Sequence, residues 1–107
     1  MVSEISAREF TARRAAGEPM TLLDVREGWE LAVAPVPSST IHIPMGEIER
    51  RVGELDPARA TVVLCRSGGR SAQVAQWLAA HGFTAVYNLT GGLLAWSRDL
   101  DPSIPRY

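Results

Sequence analysis

The stretch Thr61-Val62-Val63-Leu64-Cys65-Arg66-Ser67-Gly68-Gly69-Arg70-Ser71 changes character at its middle residue. Its first five residues are apolar or β-branched, the composition of a short strand buried on both faces. A glycine turn follows, then a helix predicted from about Arg70 to His81 and stopped by Gly82. Strands apolar on both faces belong to parallel sheets covered by helices. The neighbouring segments support that architecture. Downstream, Ala85 to Leu89 reads as a strand, Thr90 stands where it would cap a last helix through Gly92, Leu94, Trp96 and Leu100, and a proline-bearing tail runs from Asp101 to Tyr107. Upstream, Met20 to Val25 is a second apolar strand with Asp24 at its end. A short strand at Val2 to Ile5 precedes a helix from Ala7 to Ala16, which opens on a Ser6/Glu9 capping box and ends at Gly17.

Between these lie less regular segments. Glu27 to Val33 has the length of a short helix, Pro35 to Ser39 a loop composition, and Thr40 to Ile43 that of a brief strand. Met45, Ile48, Val52 and Leu55 are spaced as one face of a helix before Pro57. The expectation is an α/β fold with a mostly parallel central sheet of about five strands and helices on both faces, residues 1–107 forming one domain.

A chain of 107 residues with 46% hydrophobic content can bury one core without disulfides or a structural metal. Its net charge is −1 with basic residues spread throughout, which gives no electrostatic footprint for nucleic acid or an anionic membrane. All eleven basic residues are arginine, which excludes Schiff-base lysine chemistry and the Walker-type phosphate loop. The N-terminal residues alternate charge with apolar groups, unlike a secretory signal, so the expected location is the cytoplasm. His42 and His81 lack metal-ligand spacing, and no metal site is expected. Trp77 and Trp96 read as core residues. Trp29 reads as an ordinary side chain, with the rim of a site as its alternative.

Ligands of parallel sheets bind at the carboxyl ends of the strands, where Asp24, Cys65 and Thr90 should meet. Cys65 is the single cysteine. After it, Ser67, Gly68 and Gly69 let consecutive N–H groups curl around one point at a helix N-terminus, the two glycines supplying positive φ angles. The helix dipole, Arg66 and Arg70 all favour a thiolate there, so Cys65 reads as a reactive thiol rather than an inert buried one. Arg66 is expected to contact an anionic substrate. Arg70 either shares that role or fixes the loop by bonding carboxylates beneath it. Ser67 and Ser71 either donate hydroxyl hydrogen bonds to a bound anion or, respectively, face water and cap the helix. Asp24 is expected to support the loop from the neighbouring strand end, and Arg26 reads as a solvated side chain.

The loop Cys65-Arg66-Ser67-Gly68-Gly69-Arg70 resembles the six-residue active loop of rhodanese-family sulfurtransferases. Leu23-Asp24-Val25-Arg26-Glu27 is similar to that family's early motif, His42-Ile43-Pro44 to its middle motif, and Asn88-Leu89-Thr90-Gly91-Gly92 with Trp96 to its late motif. One departure is clear: Pro37-Ser38-Ser39-Thr40-Ile41 stands where the first part of a glycine-histidine-isoleucine-proline-glycine turn is often found. The resemblance implies a rhodanese-like fold and a catalytic Cys65 that takes a sulfane sulfur from thiosulfate or a protein persulfide. The persulfide so formed would yield its sulfur to a thiol or cyanide, with no cofactor. The implied partners are a small anionic donor, a thiol acceptor and, in some relatives, a donor or acceptor protein. A glycine usually follows the cysteine in relatives that use mercaptopyruvate, so Arg66 leans the expectation towards thiosulfate or a protein persulfide.

Three other functions compete. Cysteine phosphatases and arsenate reductases also hold a thiolate before a helix, but with five residues between cysteine and arginine. Four separate Cys65 from Arg70, a cradle better suited to one added sulfur than to a phosphoryl group. A binding module without turnover has no need of both the thiol and the intact loop. A persulfide carrier serving a partner protein uses the same residues and stays open.

Overall fold

The computed structural model describes residues 1–107. Five strands form one entirely parallel sheet in the order β1-β5-β4-β2-β3. They are β1 (Val2–Ile5), β2 (Met20–Asp24), β3 (Ile41–His42), β4 (Ala60–Leu64) and β5 (Val86–Leu89). The two strands read as fully apolar, β2 and β4, lie side by side in the middle, with Leu22 opposite Val62 and Leu23 opposite Val63. Alternation along them divides the core. Leu22, Val62 and Leu64 face α1 (Ala7–Ala15) and α5 (Gly92–Asp99), where Phe10, Leu93 and Trp96 are buried. Leu23, Val63 and Cys65 face α4 (Gly69–Ala80), whose Val74, Ala75 and Leu78 complete the opposite cluster with Ile48 and Leu55. No helix is long and apolar enough to cross a membrane.

Local signals explain most element ends. Ser6 Oγ accepts from Glu9 N at 3.0 Å to open α1. Gly17 and Gly82, at φ +92° and +93°, follow α1 and α4. α2 (Gly28–Val33) is the short helix expected after Asp24. The expected continuous helix from Met45 to Leu55 is instead broken into a 3-10 turn (Met45–Glu47), the single α-turn α3 (Ile48–Arg51) and a second 3-10 turn (Val52–Glu54). Gly46 and Gly53 account for the break, each costing about 1 kcal/mol relative to alanine inside a helix. The spacing of Ile48 and Leu55 still buries both. Trp96 is a core residue as expected, whereas Trp77 is only partly buried and stacks on His81 at 3.9 Å.

Thr90 does not cap α5. The cap is Gly91 in the left-handed region, and the Thr90 hydroxyl donates to Glu4 Oε1 at 2.9 Å. A left-handed cap turns the chain so sharply that Gly92, also at φ +61°, lies against the Cys65 loop. A Cβ on Gly92 would stand 2.5 Å from both Cys65 O and Arg66 O. Gly92→Ala should therefore lower the unfolding free energy by more than the roughly 1–2 kcal/mol of left-handed strain alone. Equilibrium urea unfolding checks this, and a midpoint at the wild-type value would refute the close approach.

Candidate active site

The loop after β4 is held from behind. Leu93 N donates to Cys65 O at 2.9 Å and Leu94 N to Arg66 O at 3.1 Å, so the first amides of α5 take up the loop's first two carbonyls. Gly68, at φ +107°, forms the left-handed cap of α4, and its N–H points at Cys65 Sγ at 3.1 Å. Ser71 N, in the first turn of α4, reaches the same sulfur at 3.4 Å. Sγ thus fills the place of a capping acceptor for the otherwise orphan amides of a helix N-terminus. Gly69 has no positive φ and open space beside it, so only one of the two loop glycines supplies the left-handed angle expected of both.

Cys65 is 1% exposed, and its thiol donates to Ser71 Oγ at 3.3 Å. The Ser71 hydroxyl in turn donates to Asn88 Oδ1 at 2.6 Å. Asn88 Nδ2 donates to Glu4 Oε2 at 3.2 Å and to Gly68 O at 3.4 Å, which ties the sheet edge to the loop. Burial pushes the thiol pKa up, but hydrogen bonding with the Ser71 side chain and from Ser71, Gly68 and Ser67 N–H outweighs it. The net direction is downward. Ser71 is therefore a partner of the sulfur and not the helix cap. The Ser67 side chain is exposed, while its N–H belongs to the cradle.

Neither loop arginine is free. Arg70 Nη1 and Nη2 bond Glu30 Oε1 and Oε2 at 2.6 and 2.9 Å, a two-toothed ion pair with a carboxylate that is 2% exposed. Arg66 Nε donates to Tyr107 O at 2.6 Å, Nη2 bonds the same oxygen, and the guanidinium lies 5.2 Å from the Tyr107 ring centroid.

Asp24 does not touch the loop. Its carboxylate is spent on Arg26, with Nη2 at 2.9 Å from Oδ2 and the Arg26 N–H at 3.0 Å from Oδ1. Arg26, expected in solvent, is 0% exposed. Its guanidinium also reaches Ala34 O at 2.9 Å and Tyr107 Oη at 3.0 Å. Burial lowers its pKa, and the bonds to Asp24 and Tyr107 more than restore it. Support from Asp24 thus passes through Arg26 to Tyr107, whose hydroxyl donates to Glu30 Oε2 at 2.6 Å, and so to Arg70. Trp29, 63% exposed, meets the Tyr107 ring edge-on at 6.0 Å and sits on the rim.

Glu30, Asn88 and Tyr107 were not among the expected site residues. Glu30 carried one signal: at the third helical position it accepts from Glu27 N at 3.0 Å, as a capping residue does. Asn88 carried another, as a polar residue within a buried strand.

The bond from Arg70 and those from Tyr107 and Glu27 hold the Glu30 carboxyl at about 2, against the opposition of burial, from an ordinary value of 4.5. A carboxyl depressed on folding contributes stability that is complete above its unfolded pKa and is lost as pH falls towards the folded one. Wild-type stability should therefore fall between about pH 4.5 and pH 2. Glu30→Gln should be less stable at neutral pH and flatter across that window. Urea unfolding at stepped pH measures both, and equal slopes would refute the ion pair.

The sequence profile of the rhodanese-like domain matches residues 6–99. Rhodanese-like/PpiC domain-containing protein 12, chloroplastic, of Arabidopsis thaliana is 44% identical over 80% of this chain, which spans only 30% of that protein's length. A sulfurtransferase of Allochromatium vinosum is 38% identical, covering 92% of this chain and 91% of its own. The putative sulfur carrier protein YrkF of Bacillus subtilis is 35% identical over 90% of this chain and 51% of its own. The crystal structure of a rhodanese-like domain protein from Staphylococcus aureus superposes with a TM-score of 0.81 at 27% identity, over 98% of both chains. A profile match across most of the chain, with a relative of nearly equal length, means that this chain belongs to the rhodanese-like domain family.

Proposed function

We propose that Cys65 carries a sulfane sulfur as a persulfide between a donor, thiosulfate or another persulfide, and a thiol or cyanide acceptor. The observation that carries this reading is the convergence of Gly68 N, Ser71 N and the Ser71 hydroxyl on one buried sulfur. With thiosulfate, Sγ as thiolate attacks the outer sulfur; a Cys65–sulfur bond forms, the donor's S–S bond breaks, and sulfite leaves with the electron pair. Attack by cyanide on the outer persulfide sulfur then forms thiocyanate and returns the pair to Sγ as thiolate. Dividing the transfer this way is covalent catalysis, and the amide cradle stabilises negative charge on sulfur in both halves. Ionisation of Cys65 frees the Ser71 hydroxyl to turn from Asn88 towards the thiolate. The loop's own residues supply each of these steps without a cofactor.

In the carrier reading both donor and acceptor are proteins, a desulfurase and a partner, and similarity to a protein named a putative sulfur carrier favours keeping it. The cradle's few donors suit one sulfur atom; a phosphoryl group brings three oxygens, each needing its own donor.

Intact mass spectrometry tests the proposal. Wild-type protein should gain one sulfur atom with thiosulfate or a hydropersulfide and lose it to cyanide, whereas Cys65→Ser should fold normally and gain none. Iodoacetamide alkylation of the wild type should rise through an inflection below that of a free thiol, near 8.5, because the cradle favours the thiolate. Ser71→Ala removes the hydroxyl contribution and should move the inflection upward. No persulfide with any donor, or wild-type turnover in Cys65→Ser, would overturn the proposal.

A further inference from the structure

The tail after α5 is pinned at two points. Ile104 is 5% exposed in the cluster under α1 and α5, and its carbonyl accepts from Ser97 Oγ at 2.8 Å. Only Pro105 and Arg106, both exposed, lie between it and Tyr107. The Tyr107 hydroxyl lies between Arg26 Nη1 and Glu30 Oε2, its ring lies between Arg66 and Trp29, and its main-chain oxygen sits in the fork of Arg66. Arg70 is committed to Glu30. A dianion approaching Cys65 therefore finds no unengaged guanidinium on the loop, and the partner that Arg66 would have to give up is Tyr107.

We propose that Tyr107 selects the sulfur donor. By holding Arg66 it disfavours a free dianionic donor such as thiosulfate, and it leaves the site open to a hydropersulfide, which needs no arginine to balance its charge. This rests on the sulfur-transfer reading above. In the favoured step, Sγ as thiolate attacks the outer sulfur of R–S–SH, the Cys65–sulfur bond forms, the donor's S–S bond breaks, and R–S⁻ departs with the electron pair. The proton stays on the transferred sulfur.

Two alkylating agents with the same leaving group and different charge report on Arg66 without any sulfur transfer. The ratio of Cys65 alkylation rates by iodoacetate, an anion, and iodoacetamide, which is neutral, should be low in the wild type. Tyr107→Ala removes the ring and hydroxyl that hold the main-chain oxygen in place. It should raise the ratio about tenfold, the size of one partly exposed charge contact. In Tyr107→Ala/Arg66→Ala the gain should vanish. Tyr107→Phe, which keeps the ring and loses only the bonds to Glu30 and Arg26, should shift the ratio in the same direction by a smaller factor, and it serves if the alanine variant does not fold. In parallel, the rate of loading by thiosulfate relative to that by an alkyl hydropersulfide should be higher in Tyr107→Ala than in wild type. An unchanged alkylation ratio, or a gain that survives removal of Arg66, overturns the assignment to Tyr107. Failure of both donors to load wild-type Cys65 instead overturns the sulfur-transfer reading, and the alkylation ratio still decides the role of Tyr107.

Discussion

Everything at this site depends on where two carbonyl oxygens point. Cys65 O and Arg66 O accept from Leu93 and Leu94 N–H at the start of α5. With those oxygens drawn outward, the N–H groups that follow in the tight turn face inward onto Sγ. The arrangement requires backbone to lie directly on backbone, which is why Gly92 admits no Cβ and why Gly91 must turn in the left-handed region. The late glycine pair and the cysteine loop are thus two halves of one structure, although 25 or so residues separate them.

The same arrangement explains the state of the thiol. A cysteine beside two arginines invites an account in which their charge stabilises the thiolate. Each guanidinium makes its hydrogen bonds elsewhere, Arg70 with Glu30 and Arg66 with Tyr107 O, so that what Arg70 gives the sulfur is charge at a distance and not a bond. The strongest lowering contributions come from the Ser71 hydroxyl and the amides of Ser71, Gly68 and Ser67. The amide dipoles are fixed by the fold and cost no reorganisation when charge appears on sulfur, the Ser71 hydroxyl alone having to turn, and burial that opposes ionisation also makes each bond count for more.

What was legible in the sequence divides along physical lines. Strand and helix patterns are local: the apolar runs of β2 and β4, the stop at Gly82 and the cap at Ser6 are each readable within a few residues, and so was the parallel sheet they build. The segment from Met45 to Leu55 misled because its apolar spacing also fits tight 3-10 turns, and its two glycines decided the matter. The cysteine loop was legible because strand, glycine and helix adjoin in the chain. Its supports were not. Arg70 meets Glu30 across 40 residues, Ser71 meets Asn88 across 17, and Arg66 meets Tyr107 across 41. Pairings of that kind follow from which strand ends the topology brings together, and no local period encodes them. Arg26 shows this most sharply, since an arginine two residues from an aspartate reads as solvated until Ala34 and Tyr107 are seen to close over it.

Floor and rim of the site then differ in what they can specify. The floor, made of Cys65, Ser71, Asn88 and the α5 amides, is buried and fully bonded; it presents donors to a single sulfur atom and recognises nothing beyond it. On the proposed mechanism a persulfide on Cys65 would have the same terminal atom whatever molecule delivered it, so the floor could not tell one donor from another. Discrimination must act on the part of the donor that leaves, and that part can meet only the exposed or partly exposed groups around the opening. They include Ser67, Arg66, Arg70, Trp29 and Tyr107, of which Arg66, Trp29 and Tyr107 are linked to one another by hydrogen bonds or ring contacts through Tyr107. A fold that fixes its chemistry in the sheet and helix ends can therefore change its donor by changing a few rim side chains and leave the reacting sulfur undisturbed.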